Sequence, residues 1–163
     1  MKEETTGGDR TSSALHLLHR AGQCADELFA NNVGTSDLTP RQFAVIKAVA
    51  ASEEPSQTML VEKTGIDRST LADIVRRLVA KGLLQRKRTR RDARMYAVRL
   101  TEKGAAVLRN AEPAARTTDE RILSALPVAQ RDAFLEALAR IVDNMGIPSG
   151  EVEREEREER KEP

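Results

Sequence analysis

Apolar residues recur at helical spacing along most of the chain and alternate with polar residues between positions 84 and 100. The first helical stretch predicts a helix that is capped by Thr11, Ser12 or Ser13 and ends between 31 and 34. Its apolar stripe consists of Leu15, Leu18, Ala21, Ala25, Leu28 and Phe29. The last stretch predicts a helix from Pro127 with the stripe Phe134, Leu135, Leu138, Ile141, Val142 and Met145.

Local start and stop signals predict three further helices before the alternating stretch. Thr39, Pro40 and Gln42 have the spacing of a capping box with proline at the first helical position, which predicts a helix to about Ala51. Ser56 is the predicted cap of a short helix that ends at 64.

A glycine-containing turn follows at Gly65 and Ile66, and Asp67 caps a helix that runs through Lys81 and stops at Gly82. The predicted buried face of this helix consists of Leu71, Ile74, Val75, Leu78 and Val79. Two short helices joined by such a turn have the arrangement of a helix-turn-helix.

The alternation between Leu84 and Leu100 predicts a β-hairpin with a polar tip at 89–93. Thr101 is the predicted cap of another helix, which extends past Pro113 to about Leu126. The sequence therefore predicts a mostly α-helical fold with a small β-hairpin wing, that is, a winged helix-turn-helix flanked by N- and C-terminal helices.

The charge of the chain is concentrated in this winged segment. Positions 56–100 hold twelve basic and four acidic residues and carry +8. Because the whole chain is only +1, the remainder carries −7. Such polarity favours a polyanionic partner for the segment. With one tyrosine, three phenylalanines and no tryptophan, the chain lacks the exposed rings that stack on single-stranded nucleic acid, so duplex DNA is the expected partner.

In a winged helix-turn-helix, the second helix enters the major groove and the hairpin reaches the flanking minor groove. The predicted second helix begins with polar side chains suited to groove entry, and the hairpin supplies cations for phosphates and for the minor groove. The residues expected at the DNA are Ser56, Gln57, Arg68, Ser69, Thr70, Asp73, Arg76, Arg77, Arg86, Lys87, Arg88, Arg90, Arg91, Asp92 and Arg94.

Four groups of residues carry a family resemblance: 65–71, then 75–86 with Val75, Leu78 and Gly82, then 92–94, and finally 100–104. Through them, the chain between 15 and 145 resembles the MarR family of bacterial transcription regulators. The resemblance implies a homodimer that interweaves the first and last helices of both subunits and binds a palindromic operator. It also implies that Arg94 enters the minor groove and that Asp92 holds an arginine of the wing.

Asp73 departs from the pattern of many relatives, which carry a basic or a neutral polar side chain on this face of the helix. Its carboxylate can accept a hydrogen bond from cytosine N4, or it can brace Arg76 or Arg77. A phosphate would repel it, so the operator sequence does not follow from the resemblance.

The expected organisation is a disordered arm at 1–10, a helical dimerisation region at 11–38 and 101–146, a DNA-binding lobe at 39–100, and a charged, disordered tail at 147–163. The expected function is that of a ligand-responsive transcription regulator, a repressor released by a small aromatic or lipophilic effector. With a single cysteine and no apolar segment long enough for export or for a membrane, we expect a cytoplasmic protein with no membrane partner.

Three side chains of the first helix suggest other chemistry. Cys24 can act as an oxidant-sensing thiol, which would make the protein a redox-sensing regulator. His16 and His19 lie one turn apart and can contact an effector or form half of a metal site, although no cysteine or acid cluster completes such a site. A winged-helix module for protein contact is the other alternative. No phosphate-binding loop or serine elbow is found, and no histidine outside the first helix can serve as a base, so we expect neither an enzyme nor a cofactor.

Overall fold

The computed structural model describes residues 13–34, 37–88 and 96–145, which form six α-helices and one two-stranded sheet. In chain order the elements are α1 (Ala14–Val33), α2 (Pro40–Ala50), α3 (Gln57–Thr64), α4 (Arg68–Ala80), β1 (Leu84–Arg88), β2 (Tyr96–Leu100), α5 (Glu102–Ser124) and α6 (Val128–Met145). The arm expected at 1–10 and the tail expected at 147–163 lie outside the described residues. The predicted fold class is confirmed, and the predicted helix ends lie within two residues of the observed ones.

The predicted N-terminal caps are present. Thr39 Oγ1 accepts from the Gln42 backbone N–H at 3.2 Å, and Gln42 Oε1 accepts from the Thr39 N–H at 3.3 Å, so the capping box of α2 is complete. Side chains also cap α1, α3, α4 and α5, through Ser13, Ser56, Asp67 and Thr101. These caps satisfy helix N–H groups that have no partner within the helix.

The hairpin pairs Leu84 with Leu100 and Arg88 with Tyr96. On its other edge, β2 is bonded to the loop before α3, because the Val98 N–H donates to the Pro55 carbonyl at 3.2 Å. The predicted alternation of buried and exposed positions is wrong on β2, because Ala97 and Val98 are both buried. A strand with backbone neighbours on both edges and α2 packed against it leaves little surface for solvent.

One apolar core joins the winged segment to helices α1, α2 and α5. Phe29 of α1 meets Phe43 of α2 with ring centroids 5.4 Å apart, and Leu108 and Ala111 bring α5 into the same cluster. The rest of this core is formed by Leu38, Val45, Ile46, Val49, Leu60, Val61, Leu71, Ile74, Val75, Leu78, Leu83, Leu84 and Val98. Val79, predicted to be buried, is only half-buried at its edge.

Helices α1 and α6 leave large apolar side chains exposed. Of the predicted stripe on α1 only Phe29 is buried, while Leu15 is 80% exposed. α6 buries none of its residues. Its exposed apolar side chains are Val128, Leu135, Ile141, Val142 and Met145. In the described part of the chain, no helix has both the length and the hydropathy needed to cross a membrane.

The start of α5 is fastened to the turn that follows α4. Gly82, with φ of +71°, ends α4 in the left-handed conformation that favours glycine. The Thr101 hydroxyl donates to the Gly82 carbonyl at 2.7 Å, and the Thr101 N–H donates to the Leu83 carbonyl at 3.1 Å. Gly104 lies so close that an added Cβ would stand 2.0 Å from the Leu83 carbonyl oxygen. The winged segment and α5 therefore touch, backbone to backbone, at this point.

We predict that Gly104→Ala destabilises the protein by about 1 to 3 kcal/mol, because the new methyl group forces two backbones apart. Urea unfolding followed by circular dichroism measures the effect. Gly22→Ala is the matched control, since Gly22 lies inside α1 with nothing within 4 Å of an added Cβ. The control should be neutral or slightly stabilising. Equal stability of wild type and Gly104→Ala would contradict the close contact.

Candidate nucleic-acid interface

The turn between α3 and α4 sets the direction of the second helix. Gly65, with φ of +65°, ends α3 in the left-handed region, and two residues later Asp67 begins the cap of α4. Asp67 Oδ1 accepts from the Ser69 hydroxyl at 2.6 Å and from the Thr70 N–H at 2.9 Å. These bonds, that of Ser69 first, hold the pKa of Asp67 far below its usual range. The cap is therefore ionised at neutral pH, where it also complements the helix dipole.

The first turn of α4 presents the polar residues predicted for groove entry. Arg68 and Ser69 are exposed, and Thr70 is half-buried. Arg68 Nη2 donates to Thr58 Oγ1 of α3 at 3.5 Å, so the two helices of the motif are also joined on their outer side. Thr58 is exposed and was not among the predicted residues. Its polar character, directly after Gln57 on the first helix of the motif, was the only signal for it.

Asp73 pairs with both neighbouring arginines on the outer face of α4. Its Oδ1 lies 2.5 Å from Arg76 Nη2, and its Oδ2 lies 2.7 Å from Arg77 Nε. The hydrogen bond from Arg76, reinforced by the positive charges of Arg77 and Arg76, keeps the pKa of Asp73 below its ordinary value. Of the two interpretations given for this acid, the structure shows the bracing of both arginines.

The wing presents cations along β1. Arg86, Lys87 and Arg88 are exposed, and β1 follows α4 through the Gly82 turn and packs against it. The predicted tip residues Arg90, Arg91, Asp92 and Arg94 lie outside the described residues. Within the described part of the lobe, a basic strand therefore adjoins the polar face of α4.

The two predicted residues at the start of α3 are half-buried. Ser56 Oγ accepts from the Met59 N–H at 3.2 Å, which makes it the cap of α3. Gln57 is the first residue of that helix. The hydroxyl of Ser56 is thus already engaged in holding the supporting helix.

Two cations of the basic segment are paired with acids from outside it. Arg99 on β2 forms an ion pair with Glu54, and both side chains are largely shielded from solvent. Lys81 Nζ lies 3.0 Å from Asp37 Oδ2 and 2.9 Å from the Asp37 carbonyl oxygen. The charge of +8 therefore overstates what the lobe can offer to a phosphate backbone. No local pattern predicts these pairs, because each joins residues more than forty positions apart.

The three remaining candidates all lie on α1. His16, His19 and Cys24 are exposed there. Within the described ranges, no group of three histidine, cysteine or acidic residues could hold a metal ion. The histidine spacing therefore gains no further ligand from these parts of the fold.

Comparison with known proteins gives the lobe a family. The model of the MarR family matches residues 36–95. The chain is 33% identical over 141 residues to the HTH-type transcriptional repressor NicR of Pseudomonas putida, a match that covers 86% of this chain and 89% of NicR.

Solved structures agree with this match. Bordetella bronchiseptica BpsR, whose DNA binding is regulated by 6-hydroxynicotinic acid, has a TM-score of 0.76 at 29% identity and covers 83% of this chain and 97% of its own. The transcriptional repressor CouR, bound to a 23-mer DNA duplex, has a TM-score of 0.72 at 32% identity and covers 80% and 92%.

These relatives are transcription regulators, so the expectation that the chain is not an enzyme is confirmed. The family match over residues 36–95 covers α2, α3, α4 and β1. The resemblance first suggested by the glycine turn, the recognition helix and the Thr101 cap is thereby established, and the chain belongs to the MarR family of winged-helix transcription regulators.

Proposed function

We propose that this regulator is a homodimeric repressor that binds a palindromic duplex operator and is released by a small aromatic acid. The observation that carries the proposal is the exposed polar face of α4, with Arg68, Ser69, Arg76 and Arg77, next to the exposed cations of β1. Cations on both elements suit a helix that lies in the major groove between two phosphate backbones.

Within this proposal the contacts divide by chemistry. The first turn of α4 approaches base edges, where Arg68 pairs best with guanine and Ser69 with any base. Arg86, Lys87 and Arg88 neutralise phosphates, and Arg90, Arg91 and Arg94 of the tip reach the minor groove, whose negative potential attracts arginine. The half-buried Ser56 and Gln57 approach the backbone from α3, and Asp92 holds the tip.

The homodimer would be formed by the outer helices, in segments 11–38 and 101–146, with 39–100 as the DNA-binding lobe. Leu15 and Leu17 of α1 are more than half exposed, as are Val142 and Met145 of α6. Apolar faces on terminal helices that no described residue covers suit contact with a second copy, because burial of apolar area drives association. A two-fold dimer presents two copies of α4 to a palindrome.

The proposed effector is an aromatic acid. BpsR is regulated by 6-hydroxynicotinic acid, and its structure matches this chain over most of its length. Release requires that the acid bind more tightly to the conformation that does not fit DNA. His16 and His19 on α1, with Cys24 on the same helix, are the candidate contacts, since an imidazole N–H can donate a hydrogen bond to a carboxylate.

We predict tight, salt-sensitive binding to one segment of the DNA upstream of the gene for this protein. Fluorescence anisotropy with labelled duplexes that tile this region measures it, with a shuffled duplex of equal composition as control. Affinity should fall steeply with salt, with a log–log slope of about −0.9 per phosphate neutralised. Weak and salt-independent binding to every tile would contradict the proposal and favour a protein-contact module.

We predict that Arg94→Ala weakens binding to the selected tile by about 1 to 3 kcal/mol, the range of one good groove contact. The same anisotropy titration measures the loss. Arg109→Ala is a control, because Arg109 is an exposed arginine of α5 outside the proposed DNA interface. Unchanged affinity of Arg94→Ala would contradict the assignment of the wing tip.

We predict that 6-hydroxynicotinic acid releases the protein from the selected tile at a concentration that rises in His16→Ala and His19→Ala. Anisotropy at fixed protein concentration, titrated with the acid, measures release, and benzoic acid tests whether the ring substituents matter. Peroxide treatment of wild type and Cys24→Ser in parallel tests the redox alternative. Release of wild type by peroxide but not by any aromatic acid would overturn the effector proposal.

A further inference from the structure

The strongest unexplained feature of the described residues is the carboxylate in the middle of the DNA-facing helix. Asp73 lies where the partner is a polyanion, and phosphate oxygens repel it. Its ion pairs contribute little to folding, because Arg76 and Arg77 are 71% and 62% exposed and exposed pairs are weak. Its charge and its small contribution to folding direct attention to how this helix binds.

The geometry fixes both arginines while leaving them able to bind DNA. Arg77 uses Nε and Arg76 uses Nη2 for the carboxylate, so each guanidinium retains further N–H donors for a base or a phosphate. A guanidinium held from one side loses less conformational freedom when it docks on a guanine edge. The same ion pair restrains the guanidinium from reaching phosphates when the protein meets DNA other than the operator.

We propose that Asp73 is a positioning residue that sets sequence discrimination: it directs Arg76 and Arg77 towards base edges and reduces the attraction of α4 for DNA of any sequence. The inference rests on the proposed duplex-DNA function and goes beyond it, because it assigns a role in specificity to an acid. Non-specific affinity depends on the number of phosphates neutralised. Asp73 lowers that number because its negative charge offsets part of the positive charge of the two arginines.

The test compares the upstream tile that wild type selects with a shuffled duplex of equal length and composition, across a range of salt concentrations. Asp73→Asn keeps the size of the side chain and removes its charge. It should bind the shuffled duplex more tightly, with a salt slope steeper by about one unit. The ratio of specific to non-specific affinity should fall by about tenfold, within the range of a lost arginine–base contact.

Two further variants separate positioning from charge. Glu62→Gln removes one negative charge from the exposed surface of α3, where Glu62 has no ion pair with any described residue. It should leave the ratio within about twofold of wild type. Asp73→Glu keeps the charge and can still reach an arginine one turn away, so it should restore most of the discrimination.

An unchanged ratio in Asp73→Asn, with the melting temperature of wild type, would overturn the inference and leave the proposed function intact. An equal loss in Glu62→Gln would also overturn it, because general charge would then explain the effect. If wild type itself fails to distinguish any tile from the shuffled duplex, the proposed function fails, and the inference fails with it. These three results are distinguishable in one set of titrations.

Discussion

The contact between Gly104 and the Leu83 carbonyl is the constraint on which the arrangement of this protein depends. Three parts of the chain come together at this point: the turn that ends α4, the first residue pair of the hairpin and the start of α5. Only a residue without a Cβ permits this approach. Because α5 also packs along α1, the contact joins the winged lobe to both of these helices.

Several cations of the lobe form ion pairs within the protein and are therefore less available to a phosphate backbone. Arg99 and Lys81 serve the fold, since they fasten the hairpin and the end of α4 to the loops around Glu54 and Asp37. Arg76 and Arg77 remain at the surface but share one carboxylate. Arg86, Lys87 and Arg88 of β1 form no ion pair with another described residue, although the basic segment looks uniform in the sequence.

The sequence predicted what depends on near neighbours. Caps such as Thr39 and Asp67 act within three residues, so the helices and their order followed from local pattern. The pairing of Arg99 with Glu54, and the role of Gly104 against Leu83, depend on residues brought together by folding. For Asp73 the sequence left two interpretations open, because the choice between them depends on side-chain rotamers that no spacing specifies.

The imidazole and thiol side chains of this chain are gathered on one helix. Both histidines and the single cysteine lie on α1, where they are exposed. The carboxylate that caps α4 is held by bonds within its own helix, and these lower the pKa of Asp67 so that it stays ionised until the medium becomes strongly acidic. A chemical change at one of these side chains therefore acts first on α1, which contacts α2 through the packing of Phe29 on Phe43 and α5 through the hydrogen bond between Asn32 and Thr118.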